Sequence, residues 1–180
     1  MRKEIFLFLL VTTIGFVFNC KPSSKNELQY WENNKKELAE ASAKYPNFKG
    51  IFDAKLKLAE AIWAESDAIS DEEKKAEKMK EANEKLNEIL NPFTQIKYKI
   101  DGIEKSIDKI DDKKLKTADD RVRDNAIADA RNTISSINSK LINSTAATEE
   151  EVLALTKDAI SELISAKNKI DKVVKALKKK

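Results

Sequence analysis

Histidine is absent from this 180-residue chain, and cysteine occurs once, at Cys20. The commonest general base and the commonest transition-metal ligand are therefore missing. A single cysteine cannot form a disulfide within the chain, so an apolar core must hold the fold. The sequence also contains no glycine-rich phosphate loop, nucleophile elbow or metal-ligand spacing. We therefore expect no enzymatic activity and no bound metal or cofactor.

Glycine and proline are also scarce, with three of each, whereas charged residues make up 36% of the chain. Alanine, lysine, glutamate, leucine and isoleucine dominate, a composition typical of long helices. Residues that favour strands never form an alternating run. These features predict an all-α fold, an antiparallel bundle of about five to six helices. The net charge of +3 is close to balance and does not favour binding to nucleic acid.

The longest apolar run lies at the start of the chain, over Ile5–Phe18. It is shorter than the ~20 residues that a membrane span needs. Arg2 and Lys3 precede it and Cys20 follows, a pattern typical of a bacterial lipoprotein signal peptide. The box Val17–Cys20 has bulkier central residues than usual, as in the looser boxes of spirochaetes. We predict lipidation of Cys20, and the alternative is an ordinary signal peptide with an incidental cysteine.

The predicted signal divides the chain into three parts. Residues 1–19 form the signal peptide, residues 20–26 form the lipidated cysteine with a polar tether, and residues 27–180 form the helical bundle domain. Two or more acyl chains hold a protein stably on a membrane. A lipidated Cys20 is therefore predicted to hold the mature chain on a membrane face.

Helical periodicity and breaker residues divide the domain into six predicted helices. Asn26, Ser70 and Thr148 are the predicted N-caps of the first, third and sixth helices. Asn91–Pro92 is expected to separate the third helix from the fourth, because proline marks a boundary. The predicted helices run over Glu27–Lys44, Ile51–Ile69, the Ser70–Glu73 capping box to Leu90, Pro92 to Ile110, Thr117 to Leu141, and the Thr148–Glu151 capping box to Leu177.

Aromatic side chains near the tether are the first candidates for binding a partner: Tyr30, Trp31, Tyr45 and Phe48. Adjacent aromatic residues cannot all face one apolar stripe, so we expect some of them to be exposed. Exposed aromatic side chains beside charges are typical of protein–protein hot spots. Packing of the first helix against the bundle explains these residues equally well.

Lysines form the second candidate group. From Lys167 onward they greatly outnumber the one acid, Asp171. Favourable contact of cations with the C-terminal end of a helix explains this tail. A patch for a sulfated polysaccharide or an acidic partner is the other interpretation. The candidates are Lys175, Lys178 and Lys179 in the tail and Lys113, Lys114 and Lys116 near the junction of the fourth and fifth helices.

A loose lipobox ending Phe18–Asn19–Cys20, a brief tether and a helical domain without histidine resemble the surface lipoproteins of Borrelia. Segments such as Asp108–Ile110 and Asn168–Lys172 fit the residue bias of such AT-rich genomes. The resemblance covers the whole chain, but it is one of style without a diagnostic motif. No functional residue is therefore carried over from the family.

The resemblance implies a protein that is lipid-anchored at the outer membrane surface, with the periplasmic leaflet as the alternative. It also implies that the protein binds a host protein for immune evasion. Its expected partner is a complement component or a regulator such as factor H, and the monomer is favoured. The first alternative is an adhesin for host extracellular matrix or glycosaminoglycan, although decorin-binding relatives are expected to carry paired cysteines and a stronger basic groove. The second alternative is a structural envelope lipoprotein with no host partner.

Overall fold

A computed structural model describes residues 22–111 and 117–178, with side chains for 22–111 and 119–177. These residues form five α-helices and no strand, which confirms the predicted all-α class. None of these helices has an apolar stretch long enough to cross a membrane. The helices are α1 (Ser24–Lys44), α2 (Lys49–Ser66), α3 (Glu72–Ile107), α4 (Thr117–Ile142) and α5 (Glu149–Lys178), with a short 3-10 helix (Pro46–Phe48) between α1 and α2.

Helix α3 is the spine of the bundle. It has 36 residues, which corresponds to ~54 Å at 1.5 Å per residue. Helices α1, α2 and α5 pack directly against it, whereas α4 packs mainly against α5. Buried apolar side chains from all five helices form one continuous core cluster. Helix α3 therefore sets the positions of α1, α2 and α5, and α5 in turn sets the position of α4.

The helices alternate in direction along the chain. Helix α1 is parallel to α3, because Glu27 contacts Asn83 near one end and Glu37 contacts Thr94 further along both helices. Helix α2 is antiparallel to α3, since its ion pairs with α3 run in the opposite order. Helix α5 again follows the direction of α3. Its N-terminal Glu149 lies beside the middle of the spine, and its later turns reach the end of the spine.

The predicted boundary at Asn91–Pro92 is wrong, because α3 continues through Pro92. Proline has no N–H, so the helix loses one internal hydrogen bond there, at a cost of ~3 kcal/mol. Leu90 and Phe93, on either side of the proline, are nevertheless 2% and 5% exposed. Burial of the apolar stripe on both sides offsets the lost bond, and two predicted helices become one.

The structure corrects two predicted N-caps. At α1 the cap is Ser23, whose hydroxyl accepts from the backbone N–H of Asn26 at 3.3 Å. At α3 the cap is Asp71 in place of Ser70, and its carboxylate accepts from the N–H of Lys74 at 2.9 Å. In both cases an earlier or later residue of an equally favoured capping type takes the role, three residues before the predicted cap at α1 and one residue after it at α3. Helix α2 likewise begins and ends slightly before its predicted bounds.

The predicted capping box at the start of α5 is confirmed. The N–H of Glu151 donates to the Thr148 hydroxyl at 3.3 Å, and the Thr148 N–H donates to the Glu151 carboxylate at 3.1 Å. The backbone N–H of Ala147 also donates to that carboxylate at 2.8 Å. These backbone bonds from Ala147 and Thr148 lower the pKa of Glu151. The cap thus fixes the connection between α4 and α5.

An aromatic cluster fills the centre of the bundle. The ring of Phe93 lies 5.2 Å from Tyr45, 5.9 Å from Phe48 and 5.2 Å from Phe52, measured between centroids. Two of these rings belong to the connection between α1 and α2, and Phe52 belongs to the first turn of α2. The cluster therefore holds this connection against the spine.

A buried lysine joins three helices. The ammonium of Lys55 on α2 lies 2.8 Å from Glu88 on α3 and 2.6 Å from Glu149 on α5, and its side chain is only 6% exposed. Burial opposes its charge, but the hydrogen bonds to Glu149 and Glu88 outweigh this and raise the pKa of Lys55. We call these three residues the Lys55 clasp. It connects the α1–α2 pair to the α4–α5 pair across the spine.

The clasp predicts how the stability of the fold depends on pH. Hydrogen bonds from Lys55 and Lys85 lower the pKa of Glu88, so the unfolded chain binds its proton more tightly. The stability that Glu88 contributes is fully present above the unfolded pKa of ~4.3 and is lost as pH falls through the lower folded value. The pair with Lys55 persists up to alkaline pH, because the pKa of that lysine is raised.

We expect the melting temperature to be flat above about pH 5.5 and to fall below about pH 4.5. The variant Lys55→Met is expected to have a shallower acid limb, since it removes one of the two ammonium groups that hold Glu88 charged. Thermal melts followed by circular dichroism between pH 3 and 7 measure both slopes. Parallel profiles for the two proteins would contradict the prediction.

Candidate functional site

An open groove lies where α1 ends on the spine. It encloses about 350 Å³, a size at the lower limit of ligand pockets in proteins. Its floor is formed by the buried side chains of Ala41, Tyr45, Leu90 and Phe93. The aromatic cluster that holds the connection between α1 and α2 therefore also supplies the base of the groove.

Polar contacts between α1 and α3 line one side of the groove. The Thr94 hydroxyl donates to the Glu37 carboxylate at 2.9 Å, and the Lys97 ammonium lies 3.6 Å from Glu40. Both pairs link the last turns of α1 to the middle of the spine. The Lys44 ammonium lies over the ring of Tyr45, 5.2 Å from its centroid. The groove thus combines an apolar floor with a rim of both charge signs.

Tyr98 stands at the rim of this groove and is 66% exposed, the highest value among the large apolar and aromatic side chains that the structure describes. The buried stripe of α3 passes through Phe93, Ile96 and Ile103, and Tyr98 lies outside that register. Its position between Lys97 and Lys99 in the sequence is the signal that could have identified it. Sequence reasoning followed the buried stripe and missed this residue.

The predicted aromatic candidates divide into buried and exposed residues. Trp31, Tyr45 and Phe48 are 4%, 3% and 0% exposed. Trp31 stacks on Trp63 of α2 with 4.7 Å between ring centroids. Trp31 and Phe48 belong to the core and do not line the groove, so their assignment to a partner surface is corrected. Tyr45 is also buried, but its ring forms part of the groove floor. The reason is the short connection after α1, which places Tyr45 and Phe48 on the spine.

Tyr30 is the one member of this candidate set that is exposed, at 58%. It lies in the second turn of α1, whereas the groove begins at Glu37 on the same helix. Tyr30 is therefore not among the residues that line the groove. It provides a similarly exposed aromatic residue on α1, outside the groove lining.

Of the predicted lysine candidates, only Lys175 has a side chain that the structure describes. Lys175 is exposed on α5. Lys113, Lys114 and Lys116 lie outside the described residues, as do Lys179 and the side chain of Lys178. Cys20 also lies outside them. On the preceding turns of α5, Lys167 is paired with Asp171, which itself accepts from Ser106 of the spine at 2.8 Å.

Within the described parts of the chain, no group of three or more histidine, cysteine, aspartate or glutamate residues is arranged to hold a metal ion. Comparison with protein-family models, with curated proteins and with solved structures finds no match to this chain.

Proposed function

We propose that the protein is a lipoprotein anchored through Cys20 to the outer surface of a bacterial cell, where it binds a host protein. The partner is a complement component or regulator, and binding serves immune evasion. The signal pattern before Cys20 supports the anchor. The observation that carries the binding role is the groove between α1 and α3, with the exposed Tyr98 at its rim.

The chemistry of the groove suits a protein partner. The tyrosine side chain combines a large apolar ring with a hydroxyl group and has few rotatable bonds. Tyrosine is enriched at protein interfaces. The buried floor accepts an apolar side chain, and the mixed charges of Glu40, Lys44, Lys97 and Asp101 form a polar rim around it. An apolar centre surrounded by polar residues is the usual arrangement of a binding hot spot.

Capture from human serum by immobilised residues 21–180 tests the proposal. We expect the chain to retain a complement protein and Tyr98→Ala to weaken that binding about 10- to 30-fold, the loss typical of a hot-spot tyrosine. Tyr30→Ala is the matched control, since Tyr30 is similarly exposed but away from the groove. It is expected to stay within about twofold of the unmodified chain. Surface plasmon resonance with the captured protein measures both affinities.

Three results would count against this proposal. Capture of no complement protein would remove the proposed partner class. Equal affinities of Tyr98→Ala and the unmodified chain would remove the groove as the binding site. Intact cells that retain the protein after surface proteolysis would favour a structural envelope role, because the chain would then not be displayed.

Attachment to a sulfated polysaccharide is the second candidate function. Lys169, Lys172 and Lys175 are exposed along the last turns of α5, which favours contact with a polyanion. Retention on heparin that falls steeply with salt, together with no capture from serum, would select this function.

A further inference from the structure

The first helix begins very close to the predicted lipid anchor. Only Lys21, Pro22 and Ser23 separate Cys20 from Ser24, the first residue of α1. An extended chain covers at most ~3.5 Å per residue, so Cys20 lies within ~14 Å of Ser24. The tether is shorter than the sequence predicted, because Ser23 and not Asn26 caps the helix.

The spine projects beyond α1 at this same end of the bundle. The side chain of Asn83 donates to the backbone carbonyl of Glu27 at 2.9 Å, so the two residues lie at the same height. Helix α1 begins at Ser24, just before Glu27, whereas α3 begins at Glu72, well before Asn83. At 1.5 Å per residue, the start of α3 extends ~12 Å past the start of α1.

We infer that the anchored protein rests on the turn between α2 and α3, residues 67–71, and presents the α3–α4 end of the bundle away from the membrane. The inference depends on the lipidation of Cys20 that the proposed function includes. The reach of the tether (~14 Å) nearly equals the overhang of the spine (~12 Å). In an upright bundle, a lipidated Cys20 therefore has only ~2 Å of slack, too little to lift the turn clear of the headgroups.

The composition of the turn fits contact with the hydrated headgroup layer. Asp67, Ser70 and Asp71 are exposed there. Carboxylates are costly to place in hydrocarbon, so the turn stays in the headgroup layer and does not insert. The lipid surface is thus the partner of this end of the bundle.

This orientation determines what a soluble partner can reach. The groove is lined by spine residues from Leu90 to Asp101. At 1.5 Å per residue they stand about 27–44 Å beyond the start of α3 at Glu72. The groove is therefore held above the headgroups, on the part of the bundle that faces outward.

Fluorescence quenching on the lipidated full chain tests the orientation. Cys20 is the only native cysteine, and acylation leaves it unreactive to thiol dyes, so an introduced cysteine can be labelled selectively. Ser70→Cys, Asn91→Cys and Asp108→Cys place the dye at three heights on exposed positions. Each labelled protein is reconstituted in phosphatidylcholine vesicles that carry a nitroxide on the headgroup. The same variants of residues 21–180, without lipid, are the controls.

Quenching is expected to be strong at Ser70 and at least about fivefold weaker at Asp108, because these sites are ~57 Å apart along the spine. The quenching at Asn91 is expected to be intermediate and closer to that at Asp108. Equal quenching at all three positions would mean that the bundle lies flat and would overturn the orientation alone. A chain that does not float with the vesicles would overturn both the anchor and the orientation. Capture from serum by residues 21–180 is independent of either result.

Discussion

Replacing Phe93 by alanine is expected to destabilise the fold by about 3–5 kcal/mol, the usual cost of removing a buried phenylalanine. Its ring is 5% exposed and touches Tyr45, Phe48 and Phe52 within 6 Å between centroids. The change leaves a cavity at the point where the α1–α2 connection meets the spine. For a domain of this size the melting temperature should fall by about 2–4 °C per kcal/mol, or roughly 10 °C in total.

Tyr98→Ala is the matched control for this prediction. Tyr98 lies on the same helix but is 66% exposed, so its removal should change the free energy of unfolding by less than about 0.5 kcal/mol. Urea unfolding followed by circular dichroism compares the two variants. A similar loss in both would show that the ring cluster around Phe93 does not hold the core.

Replacing Lys55 by glutamate is expected to cost about 3 kcal/mol or more, because it places a third carboxylate beside two others in a buried position. The Lys55 side chain is 6% exposed and its ammonium is within 2.8 Å of Glu88 and Glu149. The substitution turns two attractions into two repulsions. It affects the junction of α2, α3 and α5 and therefore the whole bundle.

Lys55→Met is the comparison, since methionine is unbranched and nearly as long as lysine but lacks the ammonium group. It should cost about 1–2 kcal/mol, because Glu88 and Glu149 are partly exposed and can be hydrated. Equilibrium unfolding in urea at neutral pH measures both variants. If glutamate and methionine prove equally costly, packing rather than charge is the contribution of Lys55, and the clasp is wrongly assigned.

The helix pattern was predictable where local chemistry decides it. The capping box of Thr148 and Glu151 forms as the sequence predicts, because both partners lie within one turn. The helix boundary at Pro92 was mispredicted, because local propensity favours a break there and tertiary packing overrides it. The burial of Leu90 and Phe93 on either side of Pro92 is a property of the bundle and not of the local segment.

The candidate site was much less predictable than the fold. The sequence is compatible with either buried or exposed positions for Tyr45 and Phe48. They are buried because the connection after α1 folds onto Phe93. The groove needs residues from α1 and α3 at a specific distance and angle. Tyr98 becomes a rim residue only because α1 ends beside it.

By itself, the sequence determined the all-α class and the absence of histidine chemistry, and it predicted the export signal that ends at Cys20. These features depend on composition and on residues that are neighbours in the chain. The tertiary structure decided which aromatic side chains are buried, which charges form the Lys55 clasp and how far the spine extends past α1. Such features depend on contacts between helices far apart in sequence, which form only when the apolar stripes pack together.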